Sequence, residues 1–208
     1  MRYRLWRGAV FTVALAIPVY WLYSAAVGTL GPDPGKTLVV RLGLGALDLL
    51  LISLAMMPLQ RLTRWGGWIA VRRQIGLWCF TYALLHISAY VVFVLGFSLA
   101  QLVDDISERP YIIVGALAFI GLLLLAVTSN RYSIRRLGRR WKALHRLSYL
   151  ILVLVLVHML WVVRADWGQW LVYALIGAAL LLVRLPSLQI KARTVSAKAG
   201  VDNLDKKH

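Results

Sequence analysis

Six apolar runs, at roughly 8–28, 42–59, 75–97, 111–128, 147–163 and 167–185, leave this 208-residue chain few ways to fold. Each matches the roughly 20 residues that an α-helix, rising about 1.5 Å per residue, needs to cross a hydrocarbon core of about 30 Å. In lipid every backbone amide and carbonyl must be satisfied inside the protein, and single segments of this length do that as helices rather than as barrel strands. The expected fold is therefore all-α, an integral membrane bundle of six transmembrane helices. Only Arg164-Ala165-Asp166 separates the last two runs, and two charges at mid-membrane are costly enough to predict two spans there. Composition agrees: 61% of residues are hydrophobic and 15% charged, against about 45–50% and about 25% in soluble domains. The bundle is expected to occupy 1–187 as one domain, followed by a polar tail at 188–208.

The first run follows Arg2, Arg4 and Arg7 and precedes Ser24-Ala25-Ala26, an arrangement that mimics a cleavable leader. It is longer than the roughly 7–15 residues of a leader's apolar region, and it closes on the interfacial aromatics Tyr20, Trp21 and Tyr23. It is expected to stay as the first helix.

A formal charge of +16 would point a soluble protein toward nucleic acid. Here the basic residues alternate with the spans. All of the 24 lysines and arginines except Lys36, Arg41, Arg109 and Arg164 fall before the first run, between the second and third, between the fourth and fifth, or from Arg184 at the end of the sixth onward. By the positive-inside rule both termini face the cytoplasm. The charge is a topology signal.

Three of four histidines lie in or beside the apolar runs: His86 in the third, His158 in the fifth, and His145 just ahead of the fifth; the fourth, His208, sits in the tail with no apolar context. An ionisable residue inside a span is a functional candidate, although a lone histidine is as readily a neutral hydrogen-bonding partner for a neighbouring helix. Counted from the cytoplasmic side, His86 lies about 17 Å in and His158 about 21 Å in. Two imidazoles at matched depth, among aromatics and aliphatics, suit bis-axial ligation of haem. Zinc would ask for a third or fourth ligand. With Cys79 as the single cysteine there is no CxxCH attachment motif, so any haem is held non-covalently.

A second haem would need another ligand pair about 14 residues nearer the cytoplasm, where four turns return to one face. Fourteen residues before His86 stands Arg72, with Arg73 and Gln74 beside it, and His145 lies 13 before His158. Arg72 and Arg73 are candidates for haem propionates or a flavin phosphate, since guanidinium pairs with such oxyanions in bidentate fashion; the alternative is plain loop charge. Asp48 is the one carboxylate well inside a run, open to a proton or quinone role or to a bundle hydrogen bond. Cys79 reads as core and most tryptophans as interface anchors. No Walker loop, GxGxxG, nucleophile elbow or HExxH is present.

Several stretches carry a family likeness: Gly31-Pro32-Asp33-Pro34, Arg72 to Phe80 leading to Leu85-His86, Arg109-Pro110-Tyr111, Thr128-Ser129, Leu137 to Trp141 leading to Leu144-His145, and His158 with Leu160-Trp161. In these the chain resembles the ferric-reductase-like transmembrane family and, within it, the haem-binding membrane subunits of methionine sulfoxide reductase systems. The resemblance implies b-type haem on His86, His145 and His158, an associated FMN, and electrons drawn from the quinone pool or a cytoplasmic flavin reductase. It further implies a periplasmic molybdopterin partner, MsrP, that repairs oxidised envelope proteins from the outer face of a bacterial inner membrane. Asp104, Asp105, Glu108 and Arg109 form the expected docking edge. Two alternatives stay open: a stand-alone ferric or oxygen reductase of the cytochrome b type, and a small transporter or assembly factor with structural histidines.

Overall fold

The computed structural model describes residues 3–163 and 167–184, and every regular element among them is helical. Arg2, Arg164, Asp166 and the tail with His208 lie outside the described residues. In chain order the helices are α1 (Arg4–Ala26), α2 (Pro34–Thr63), α3 (Gly67–Ala89), which runs into a π-helical turn (Tyr90–Val94), α4 (Leu99–Glu108), α5 (Tyr111–Val127), α6 (Arg131–Leu137), α7 (Arg139–Leu144), α8 (Leu147–Val162) and α9 (Trp167–Leu182).

Four helical stretches are long and apolar enough to cross a membrane, namely Arg4–Ala26, Pro34–Thr63, Gly67–Val94 and Arg139–Val162. A fifth is added if α4 and α5, bent by 106° at their junction, form one broken span. At 16 residues α9 reaches only about 24 Å. The all-helical membrane fold is as the sequence predicts, with four or five of the six expected spans at full length among the described residues. The physical reason lies at Arg109-Pro110, where the chain turns from α4 and leaves α5 with only 17 helical residues.

Helix ends follow their local chemistry. Asp33 caps α2, its carboxylate accepting the Lys36 amide at 3.0 Å, and Pro34 fills the first helical position, where no amide is needed. The cap and the polar residues after it extend α2 well ahead of its apolar run. At the end of α3 the π-turn closes with the Leu95 amide on the Tyr90 carbonyl at 3.0 Å, and Gly96 and Phe97, both at positive φ, swing the chain sideways into α4. α4 is amphipathic. Phe97, Leu99 and Val103 are exposed around it, whereas Asp105 is only 5% exposed, accepting from the Tyr90 hydroxyl at 2.6 Å and pairing with Arg109 at 3.1 Å. Of the expected docking edge, Asp104 and Glu108 are exposed, while Asp105 is buried and paired with the half-exposed Arg109.

α2 packs along α3, and α5 along α8, with α3 against α5 and α2 against α8 and α9. The fully buried side chains include Leu38, Leu42, Leu54, Cys79, Ile151 and Leu152. Cys79 is core as expected, its thiol directed at the Ala46 carbonyl at 3.3 Å. Trp6, Trp65 and Trp68 cluster near the α2–α3 connection, with the Trp6 indole donating to the Gly67 carbonyl at 3.2 Å. Asp48 lies midway along α2, close enough to Tyr173 of α9 to act on it electrostatically.

Candidate functional site

Near their C-terminal ends, α3 and α8 each present one imidazole to the centre of the bundle. The His86 and His158 rings lie 6.5 Å apart between centroids, with their planes at 90°. His86 Nδ1 is 2.8 Å from the Val39 carbonyl on α2, and His158 Nδ1 is 2.7 Å from the Tyr111 carbonyl on α5. A carbonyl can only accept, so Nδ1 carries the proton in both rings and Nε2 keeps its lone pair. That is the arrangement metal-bound histidines adopt, with the distal N–H tied to a backbone oxygen.

The spacing also fits. Two metal–imidazole bonds of about 2 Å each, placed end to end, together with the half-ring between each nitrogen and its centroid, account for a separation of this size. Phe80 and Phe119 stack at 5.7 Å, with Phe80 about 9 Å before His86 along α3. Among the described residues no group of three or more His, Cys, Asp or Glu forms a metal centre of the zinc type. The residues present fit a haem iron held by two imidazoles.

Sequence reasoning missed the carbonyl partners, although the sequence carried a signal for them. A shift of 72 residues places Val39 on Tyr111, Gly43 on Gly115, Ala46 on Ala118 and His86 on His158. The α2–α3 and α5–α8 hairpins are thus two copies of one arrangement, and the histidine pair lies where they meet.

His145 stands apart from that pair. It follows α7 and stacks on Trp141 at 3.9 Å. Its Nδ1 faces the Trp141 carbonyl at 3.1 Å, and its Nε2 lies 3.3 Å from the Ser129 hydroxyl oxygen, which donates to the Leu125 carbonyl at 2.7 Å. The Thr128-Ser129 and Leu137–Trp141 stretches therefore converge on His145. No second imidazole faces it among the described residues.

The two arginines diverge, as neighbours about 100° apart on a helix must. Arg72 is half-buried and close enough to act electrostatically on His145 and on Arg184, which Arg61 also influences. Arg184 donates to the Leu54 and Leu180 carbonyls and lies over the Tyr149 ring at 5.4 Å. Arg73 instead lines a groove of about 650 Å³ between α1 and α3, together with Arg7, Gln74, Phe11 and Trp78.

Fold and site together define a helical membrane protein with a two-imidazole centre at the junction of paired hairpins. The chain belongs to the ferric-reductase-like transmembrane family, whose model matches residues 42–157, and within it to the MsrQ group. It is 39% identical over 192 residues, 92% of this chain and 86% of the relative, to the protein-methionine-sulfoxide reductase heme-binding subunit MsrQ of Brucella ovis. No solved structure matches it.

Proposed function

We propose that this chain is a transmembrane electron-transfer subunit in which b-type haem sits between His86 and His158. The observation that carries the reading is the facing pair of imidazoles, each with Nδ1 committed to a backbone carbonyl and Nε2 left to ligate. Haem supplies one-electron carriage when bound. His86 and His158 would hold the haem iron through Nε2, one imidazole from each hairpin. Their N–H bonds to the Val39 and Tyr111 carbonyls make each imidazole a stronger donor, which favours the oxidised metal.

Family membership supports the rest. The relative in Brucella ovis is the haem-binding subunit of a protein-methionine-sulfoxide reductase, so the proposed electron acceptor is a periplasmic molybdopterin enzyme of the MsrP kind. The proposed donor is the quinone pool or a cytoplasmic flavin reductase. Six crossings of a bacterial inner membrane with both termini cytoplasmic agree with the placement of the basic residues, with α9 and the bent α4–α5 pair completing the count. A second haem near His145 would have Arg72, Arg61 and Arg184 to meet its propionates. FMN suits the Arg7–Arg73 groove, whose two guanidinium groups would meet its phosphate and whose Phe11 and Trp78 would meet its ring.

The test is spectroscopic. Purified protein should show a Soret band and sharpened visible bands on dithionite reduction, and His86→Ala and His158→Ala should each remove the main component. Wild-type protein without a Soret band after haem supplementation would end the reading.

A further inference from the structure

The bond from each imidazole to its carbonyl depends on a missing side chain. Val39 and Gly43 are one helical turn apart on α2, and Tyr111 and Gly115 one turn apart on α5. In an α-helix the side chain at i+4 lies over the carbonyl of residue i, which is why serine and threonine at that position bond back to it. A glycine at i+4 uncovers the oxygen, so a group from another helix can use its second lone pair. Both carbonyls that receive a histidine are uncovered in this way.

The clearance is measurable. A Cβ built on Gly43 would lie 3.0 Å from His86 Nδ1 and 3.1 Å from its Cε1. On Gly115 it would lie 2.9 Å from both His158 Nδ1 and Cε1. These are tighter than ordinary van der Waals contact, and the neighbour that must yield is the imidazole ring. A side chain at either position would press on the ring that bonds its carbonyl.

We infer that Gly43 and Gly115 are a matched pair of positioning residues that hold the two axial imidazoles perpendicular, each with its Nδ1–H on a helix carbonyl. The inference rests on the haem reading above. Perpendicular ligand planes give a low-spin ferric haem with strongly anisotropic magnetism, and the Nδ1–H bonds lower its reduction potential by strengthening the donors.

The experiment uses full-length protein in detergent, with electron paramagnetic resonance and a redox titration of the wild type and of Gly43→Ala, Gly115→Ala and Gly121→Ala. Gly121 is the control, because a Cβ there meets Ile151 at 2.9 Å and no imidazole. The expected result is a smaller largest g value and a raised midpoint potential in Gly43→Ala and Gly115→Ala, by similar amounts, with Gly121→Ala like wild type. Wild-type g values and midpoint in both glycine variants would overturn the inference. If Gly43→Ala and Gly115→Ala accumulate without haem while Gly121→Ala retains it, the sensitivity belongs to the imidazoles and the inference stands. If all three fail alike, the glycines serve helix packing and the inference falls. A wild type without haem, or unchanged spectra in His86→Ala and His158→Ala, would instead remove the haem reading itself and this inference with it.

Discussion

The α2–α3 and α5–α8 hairpins agree where the histidines meet and differ at both ends. Each offers a carbonyl, a glycine one turn later, and a histidine on the returning helix, in the same register. Toward the start of the returning helix the register pairs His145 with Arg73. Ahead of the outgoing helix it pairs Asp33, exposed beside Lys36, with Asp105, buried against Tyr90 and Arg109. The shared part builds a complete two-ligand site. The divergent ends supply a lone histidine beside cations on one side and a sideways helix on the other.

The largest effect should come from breaking the shared part. His86→Ala and His158→Ala should be equivalent, each losing about one haem per chain, since bis-axial ligation requires both imidazoles. His145→Ala should keep that haem and change only a second, weaker component. Pyridine haemochrome stoichiometry on the three variants decides it. A His158→Ala protein with full haem beside an empty His86→Ala protein would show the hairpins to be unequal.

How much of this was legible in the sequence follows the same division. The apolar runs located α1, α2, α3, α5, α8 and α9, because lipid forces backbone bonding into single segments. Depth counting brought His86 and His158 together, because rise per residue is fixed in a helix. α4 was missed, since its ten residues alternate between faces and never form a long apolar run. The sideways turn from α3 into α4 was missed because it depends on Gly96 and Phe97 at positive φ, and phenylalanine gives no warning of that conformation. Asp105 and Arg109 read as a charged edge because sequence cannot show that Tyr90 lies opposite. Arg72 and Arg73 were grouped by adjacency, whereas helical phase sends them to different neighbours.

An intermediate effect should come from the end where α4 leaves. Tyr90→Phe removes the 2.6 Å donor to a buried carboxylate, and hydrogen bonds to charged groups are worth about 1.5–3 kcal/mol. The cost should appear as a lower midpoint in thermal unfolding followed through the Soret band, because Tyr90 closes the helix that carries His86. The His145 component should respond no more than the global unfolding requires. Identical melting of Tyr90→Phe and wild type would mean that the π-turn and α4 hold without this bond.

The smallest effect belongs to the exposed counterpart. The Lys36 amide, and then its side chain, hold the Asp33 carboxyl below the usual carboxylate value. A depressed folded pKa means that the cap contributes above the unfolded value, about 3.9 for aspartate, and is lost as pH falls through the lower folded value. At neutral pH the first turn of α2 should therefore be fully capped, with fraying only in acid. Asparagine caps a helix without titrating, so Asp33→Asn separates the cap from its charge. In hydrogen exchange followed at the Lys36 amide, wild type and Asp33→Asn should differ by a constant factor from neutral pH down to about pH 4, and that factor should shrink only below it. Val39 lies in the second turn of the same helix, so the acid-induced fraying should leave the His86 bond and the haem spectrum unchanged. A wild-type to Asp33→Asn ratio already falling at pH 6 would show that Lys36 does not hold this carboxylate, and that the exposed end of the first hairpin owes nothing to its charge.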